Sequence, residues 1–538
     1  PGRVAMTYPP VPGLDARLFT LPPDGLSADA TAAAIDQLRG FLTRQSAHFL
    51  GYQGNQDVSY AESLAFLLSL NTNNVGDPFA NSNCTVNTKA MERAVLDYIA
   101  TLWRAATPSD ADNPESYWGY VVSMGSTEGN LYGLYNARDY LAGRRLWREP
   151  TGSLAYIKPQ PNASNPNAFR PIAFFGEDTH YSVVKIVRSL AIRTFYEIGE
   201  QHYPGQCPIN GGEWPREVPS LGGNAGPGTV DVDALAALVG FFAARGYPPL
   251  IVLNVGSTFK GAYDDVEAVG TRLLPILERH GLASRTVNYD PEDPTKLDTR
   301  DGYWIHVDAA LGGTYMPFLE MAHARGLTAE RGPIFDFRLP FVHSIVTSSH
   351  KWPGSPLPGG VYMTKRKFTI APPDAPEYIN APDSTFAGSR NALSPALLWM
   401  YYARTSYDQE MTRIVSALDR TAYFEARLRA IEADLGASLW IARSPLSLTV
   451  RFRRPNDALV FKYSLSAETN CVDDEERAYV HIYVMQSATT GKLDALLADL
   501  AAPGAFDLAP APRCDDTSGD RRAVTRLVHV PHTGRGFR

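Results

Sequence analysis

Cysteine is scarce in this chain. There are four in 538 residues, Cys84, Cys207, Cys471 and Cys514, far apart, with no CxxC pair and no histidine at zinc-site spacing. That excludes a disulfide-rich secreted scaffold and a zinc ribbon, and it predicts unpaired thiols and no metal. No apolar run approaches the ~18 residues that a membrane helix needs, so no membrane span is expected. The opening residues, PGRVAMTYPPVPG, carry no basic stretch ahead of an apolar core. A secretory signal is therefore not expected, and a cytoplasmic location is. Charge of one sign is also lacking: the formal net charge is −7, with no long run of either sign. Nucleic acid needs clustered Lys and Arg, so it is not expected as a partner. No internal repeat is visible.

What is present is an ordinary globular composition, 44% hydrophobic and 20% charged, in a chain long enough for about two or three packed domains. Residues 1–110 are expected to be a helical segment, with helices over Ala28–Leu42 and Thr88–Trp103. In the second, Met91, Val95, Tyr98, Ile99 and Leu102 share a face, while Glu92, Arg93 and Asp97 fall elsewhere. Between them NTNNVGDPFANSNCTVN, Asn71 to Asn87, has turn composition. From Tyr117 to Lys365 short apolar runs (Ile172–Phe175, Leu250–Val255, Trp304–Val307, Phe341–Thr347) alternate with helical patterns, clearest at Leu131–Leu141 and Val232–Ala244. That alternation predicts an α/β domain over 111–385, with a mostly parallel sheet covered on both faces. The Gly- and Pro-rich stretch Tyr203–Gly228 is expected to be a surface loop inserted in it. Residues 386–538 are expected to form a smaller α+β domain. It would hold helices over Pro395–Leu435, strands at Leu446–Phe452 and Ala478–Met485, a helix at Lys492–Leu500, and a loosely held tail.

The chemistry-bearing residues sit at the ends of the expected strands, where open α/β sheets bind ligands. Trp304–Val307 runs into Asp308 within HVDAALGG, and Phe341–Thr347 into SSHKWPGSPLPGG with Ser348, His350 and Lys351. Leu250–Val255 runs into GSTFKGAYDD with Ser257 and Thr258, and GSTEGNLYG starts a helix with Gly125, Ser126 and Thr127. Taken singly each has a plain reading: a surface lysine, a helix cap, an aspartate capping the next helix, a capping histidine at His180. Together they supply what pyridoxal phosphate requires. Lys351 would be the Schiff-base amine and Asp308 the acid that keeps the pyridine nitrogen protonated. Ser126, Thr127 and Ser348 would form a phosphate cradle at a helix N-terminus, and His180 a flat ring to stack on the cofactor.

The order GSTEGNLYG, DTHYSVVKIVR, HVDAALGG, SSHKWPGSPLPGG, DSTFAGSRNALSP resembles the group II pyridoxal-phosphate decarboxylases. These include histidine, serine, aromatic amino-acid and glutamate decarboxylases. NNVGDPFANSN and GSRN bring the chain nearest the histidine/serine branch, and the likeness spans roughly Asn71 to Trp399. The resemblance implies fold type I (aspartate aminotransferase-like), a homodimer with shared sites, and α-decarboxylation of an L-amino acid. It implies that His350 lies beside the phosphate, that Ala310 packs beneath the ring and that Thr258 lies near its edge. It also implies that His180 helps to position the substrate carboxylate, and that Ser389 reaches the neighbouring subunit's cofactor. Tyr378, in PEYINAPDST, falls where a mobile active-site segment would lie and is a candidate for the acid that reprotonates the product. Gly359 stands where the branch usually has Cys, and the chain is longer than a typical bacterial histidine decarboxylase. The substrate expected is a neutral amino acid, valine or leucine ahead of histidine or an aromatic one. An aminotransferase or carbon–carbon lyase of the same fold, and a non-catalytic scaffold, are the competing readings.

Overall fold

The computed structural model describes residues 10–148, 154–159, 165–290, 292–293, 295–370 and 376–514. Short apolar runs become a seven-stranded sheet: β1 (Tyr117–Val122), β2 (Ile172–Phe175), β3 (Arg193–Thr194), β4 (Pro249–Asn254), β5 (Trp304–Asp308), β6 (Ser344–Ser348) and β7 (Gly360–Lys365). Their order is β1-β7-β6-β5-β4-β2-β3. All neighbours from β6 to β3 pair in parallel, and β7 alone runs against its neighbours β1 and β6. This is the mostly parallel sheet that the sequence predicts.

Alternation along each strand feeds two cores. Ile172, Phe174, Ile251, Leu253, Ile305 and Val307 pack on one side, with Leu238, Phe242 and Leu273 from the helices Val232–Ala243 and Val266–Arg279. Ala173, Phe175, Leu250, Val252 and Trp304 face the other side, where helix α1 (Ser126–Leu141) and helix α2 (Tyr181–Ser189) bring Leu134, Ala137, Val183 and Val187. Gly129 and Gly133, one turn apart on α1, let that helix lie close on the sheet. A Cβ on Gly129 would come 2.2 Å from Val346 Cγ2.

A second sheet of three antiparallel strands, β8 (Thr449–Arg453), β9 (Ser466–Val472) and β10 (Glu475–Tyr483), is ordered β8-β10-β9 and packs on the helices Tyr407–Leu435 and Thr490–Ala501. β9 is missed in sequence because its residues, SAETNCV, are mostly polar and only two of the seven are buried. The strand expected from Phe341 begins at Ser344, since Phe341 and Val342 belong to the turn ahead of it.

One expectation is overturned, and two others gain detail. Glu92, off the shared apolar face as expected, is fully buried and pairs with the buried Arg390. The thiols are not all free, because Cys471 and Cys514 form a disulfide, which leaves Cys84 and Cys207. Spacing gives no hint of this, since the two are 43 residues apart and meet only when the chain beyond β10 returns to the β9–β10 hairpin. The stretch Tyr203–Gly228 follows the surface but is anchored through buried Cys207, Trp214 and Val218. Arg451 of β8 also donates to the carbonyls of Asn224, Ala225 and Gly226. The expected loose tail lies, from residue 515 onward, outside the described residues.

Candidate active site

The parallel strands point their carboxyl ends at one cavity of about 290 Å³, a size suited to a small ligand. Its lining includes Ser126, Thr127, His180, Thr258, Asp308, Ala310, Ser348, His350 and Lys351, so nine of the eleven sequence-predicted site residues meet there. Tyr378 and Ser389 do not. Tyr378 is 81% exposed, and Ser389 is an exposed residue whose hydroxyl accepts from Asn73 Nδ2 at 3.0 Å.

One wall is the start of α1. Gly125, its N-cap, has φ +69° and no side chain of its own to cap the helix. Ser126 N donates to Ser348 Oγ at 3.1 Å and Glu128 N to Gly125 O at 3.1 Å, which leaves the Thr127 N–H available to an anion. The carboxylate of Glu128 accepts from Ser123 N (2.7 Å) and Met124 N (3.0 Å) and so fixes the turn that leads in. The hydroxyls of Ser126 and Ser348 share a 2.7 Å hydrogen bond, which ties α1 to the end of β6.

Lys351 follows β6 by three residues. Its backbone is clamped from outside the sheet: Asn55 N donates to Lys351 O at 3.2 Å, and Gln486 Nε2 donates to Trp352 O at 3.1 Å. The Trp352 indole donates to Glu410 at 2.8 Å. Burial lowers the Lys351 amine to about 8, against the opposing pull of Asp308. Asp308, at the end of β5, accepts from Asn130 Nδ2 at 2.7 Å and from Ala310 N at 3.1 Å. His180 caps α2. Its Nδ1 accepts from Ser182 N and lies 2.7 Å from the Ser182 hydroxyl, which leaves Nε2 as the protonated nitrogen of a neutral ring. Burial lowers its pKa. Burial likewise lowers His350 to about 4, so that ring is neutral near pH 7.

The cavity also takes in Asn130 and Asn254, which sequence reasoning left unassigned. For Asn130 a signal existed: it stands four residues after Ser126, on the same helix face. Asn254 closes β4, and its side chain donates to Thr179 and to buried Asp264. Burial raises Asp264 to about 6.

The residues present fit pyridoxal phosphate. An uncapped helix start and two serine hydroxyls suit its phosphate, and the absence of a Cβ at Gly125 keeps that space open. Nδ1 of His350 is buried beside it without a hydrogen-bond partner. Among the described residues, Lys351 is the only lysine or arginine in the lining, and Asp308 the only carboxylate.

Comparison with known proteins agrees. The family model described as the pyridoxal-dependent decarboxylase conserved domain matches residues 224–387. Serine decarboxylase 3 of Oryza sativa subsp. japonica is 30% identical over 462 residues, covering 85% of this chain and 77% of the rice protein. Histidine decarboxylase of Pseudomonas entomophila (strain L48) is 30% identical over 439 residues, 82% of this chain and 84% of that one. The crystal structure of L-methionine decarboxylase from Streptomyces sp.590 is 48% identical, with a TM-score of 0.85 over 91% of this chain and 98% of that chain. With the lysine, the aspartate and the anion cradle converging on one cavity, the chain belongs to the pyridoxal-dependent decarboxylases, and its cofactor is pyridoxal 5′-phosphate.

Proposed function

We propose that this enzyme removes the α-carboxylate of a neutral L-amino acid with an apolar side chain, methionine first among them. The observation that carries the choice is the 48% identity to L-methionine decarboxylase across nearly the whole of both chains. Valine and leucine, favoured on sequence, come next. The lining supports a neutral side chain, because among the described residues it holds no arginine and no lysine besides Lys351 to pair with a second carboxylate. The same lack speaks against an aminotransferase, which must hold the α-carboxylate it keeps.

Bound in the cavity, pyridoxal phosphate supplies the electron sink for the pair left at Cα when CO₂ departs. The residues of the chain do the rest. Lys351 would hold the cofactor through its amine, a role suited to an amine lowered to about 8. Asp308 keeps the ring nitrogen protonated. The Nε2 proton of His180 orients the substrate carboxylate, and its ring covers one cofactor face. Ser126, Thr127, Ser348 and His350 hold the phosphate, while Thr258 and Ala310 bound the ring.

Tyr378 and Ser389 act in a homodimer on this reading. Their segment is hydrogen-bonded to the Asn-rich one, with Asn83 N donating to Ile379 O and Asp77 N to Pro382 O. Large apolar side chains stand exposed along both: Val86 (48%), Tyr378 (81%) and Phe386 (46%). Such exposure fits a surface that a second subunit covers. From that position Tyr378 reprotonates the product and Ser389 reaches the neighbouring cofactor. The test measures amine and CO₂ from each proteinogenic L-amino acid with purified enzyme and added cofactor. Equimolar amine and CO₂ from methionine, ahead of valine and leucine, is the expected result. Turnover confined to histidine, serine or an acidic amino acid contradicts the proposal.

A further inference from the structure

Behind Asp308 lies a buried chain of polar side chains that runs along one face of β5. Trp304, His306 and Asp308 occupy alternate positions of that strand and so face the same side, under α1. Ser344 of β6 stands opposite His306 in the parallel register. Asn130 descends from α1, one turn beyond the phosphate-facing Ser126.

Donor and acceptor roles follow from the two ends. The Trp304 indole can only donate, so the Ser344 oxygen accepts it, at 3.0 Å. The Ser344 hydroxyl proton is then available to Nδ1 of His306, 2.7 Å away. At the far end the Asp308 carboxylate accepts the Asn130 amide N–H at 2.7 Å, which turns the Asn130 oxygen toward His306. That oxygen needs a donor, and Nε2 of His306 lies 2.8 Å from it. Both ends therefore demand one neutral tautomer, with the proton on Nε2. Burial, which lowers His306 to about 4, agrees. Room for the ring is built into the helix: a Cβ on Gly133 would sit 2.8 Å from His306 Cε1.

We infer that Asn130 and His306 are positioning residues, forming a one-way hydrogen-bond chain that holds Asp308 as an acceptor and thereby keeps the cofactor's pyridine nitrogen protonated. The inference rests on Asp308 as the ring-nitrogen partner. Every link donates toward Asp308, and none can reverse while the indole stands at the far end. Loss of a link leaves Asp308 free to rotate or to take up a proton itself.

The test follows the visible absorption of the bound cofactor against pH in the reconstituted holoenzyme, without turnover. Asn130→Leu, close in size but without a donor, should move the titration midpoint upward by roughly one pH unit, a tenfold change. The sign follows because a ring nitrogen that has lost its proton no longer opposes a second positive charge on the cofactor. His306→Leu should act the same way, and Ser344→Ala, two links away, should shift it less. In an Asp308→Asn background, Asn130→Leu should add nothing. If Asn130→Leu does not fold, Ser344→Ala carries the comparison. Midpoints equal to the parent's while Asp308→Asn shifts, or an equal further shift in the Asp308→Asn background, overturn the inference. An unshifted Asp308→Asn overturns the reading of Asp308 as well.

Discussion

A Cβ placed on Gly125 would lie 2.8 Å from Cε1 of the His350 ring and 3.6 Å from the Ser348 hydroxyl. The start of α1 and the loop after β6 thus close on a gap that only glycine leaves open, and φ of +69° independently favours glycine there. Gly125→Ala should raise the cofactor dissociation constant by about tenfold or more. With φ +69° and ψ −168° the backbone strain costs about 1–3 kcal/mol, which the fold should survive. Equilibrium dialysis against pyridoxal phosphate, with thermal unfolding alongside, measures both.

Capture of the cofactor by the apoenzyme should depend on pH in a defined direction. Only a neutral amine attacks the aldehyde, and burial brings the Lys351 amine down to about 8. The rate of capture should climb with pH, bend near pH 8 and flatten above it. Stopped-flow mixing of apoenzyme and cofactor reads this out. A rate that keeps rising to the ordinary lysine range contradicts it.

The buried pair of Glu92 and Arg390 locks the Asn-rich segment to the segment that carries Ser389. The Glu92 carboxylate also accepts from Asn74 Nδ2 and Val121 N, and Arg390 donates to Gly76 O. Arg390→Met leaves Glu92 charged and buried without its partner. It should cost about 3–5 kcal/mol in chemical unfolding. Adding Glu92→Gln should recover part of that loss, because the stranded charge is then gone.

The Cys471–Cys514 bridge closes a loop of 43 residues against β9. Peptide mapping without reductant should find those two cysteines linked and Cys84 and Cys207 free. Cys514→Ser should lower stability by ~2–4 kcal/mol with the active-site cavity unchanged. Recovery of all four cysteines as thiols from native protein contradicts the assignment.

Legibility in the sequence followed the physics of each element. Strands buried on both faces announce themselves as unbroken apolar runs, and IAFF and WIHVD fell close to their true limits for that reason. β9 did not, because a half-buried strand of mostly polar residues carries no such run. Lys351 and Asp308, which line the cavity, stand out in the sequence as charged residues at the ends of apolar runs. His306 and Asn130 stood inside the same motifs yet went unassigned, since a polar residue within a buried strand or helix gives no sign of its partner until α1 is laid across β5 and β6. Helical periodicity sets Glu92 off the apolar face but cannot foresee its partner, a buried arginine some 300 positions later. Tyr378 and Ser389 stand exposed and outside the cavity lining.

Lys351 as the residue bonded to the cofactor is reached directly by one measurement. The holoenzyme is reduced with borohydride, digested, and its peptides are sequenced by mass spectrometry. The pyridoxyl group is predicted on Lys351 alone, and Lys351→Ala protein treated in the same way should carry none. A pyridoxyl group on a different lysine, with Lys351 unmodified, would contradict the account.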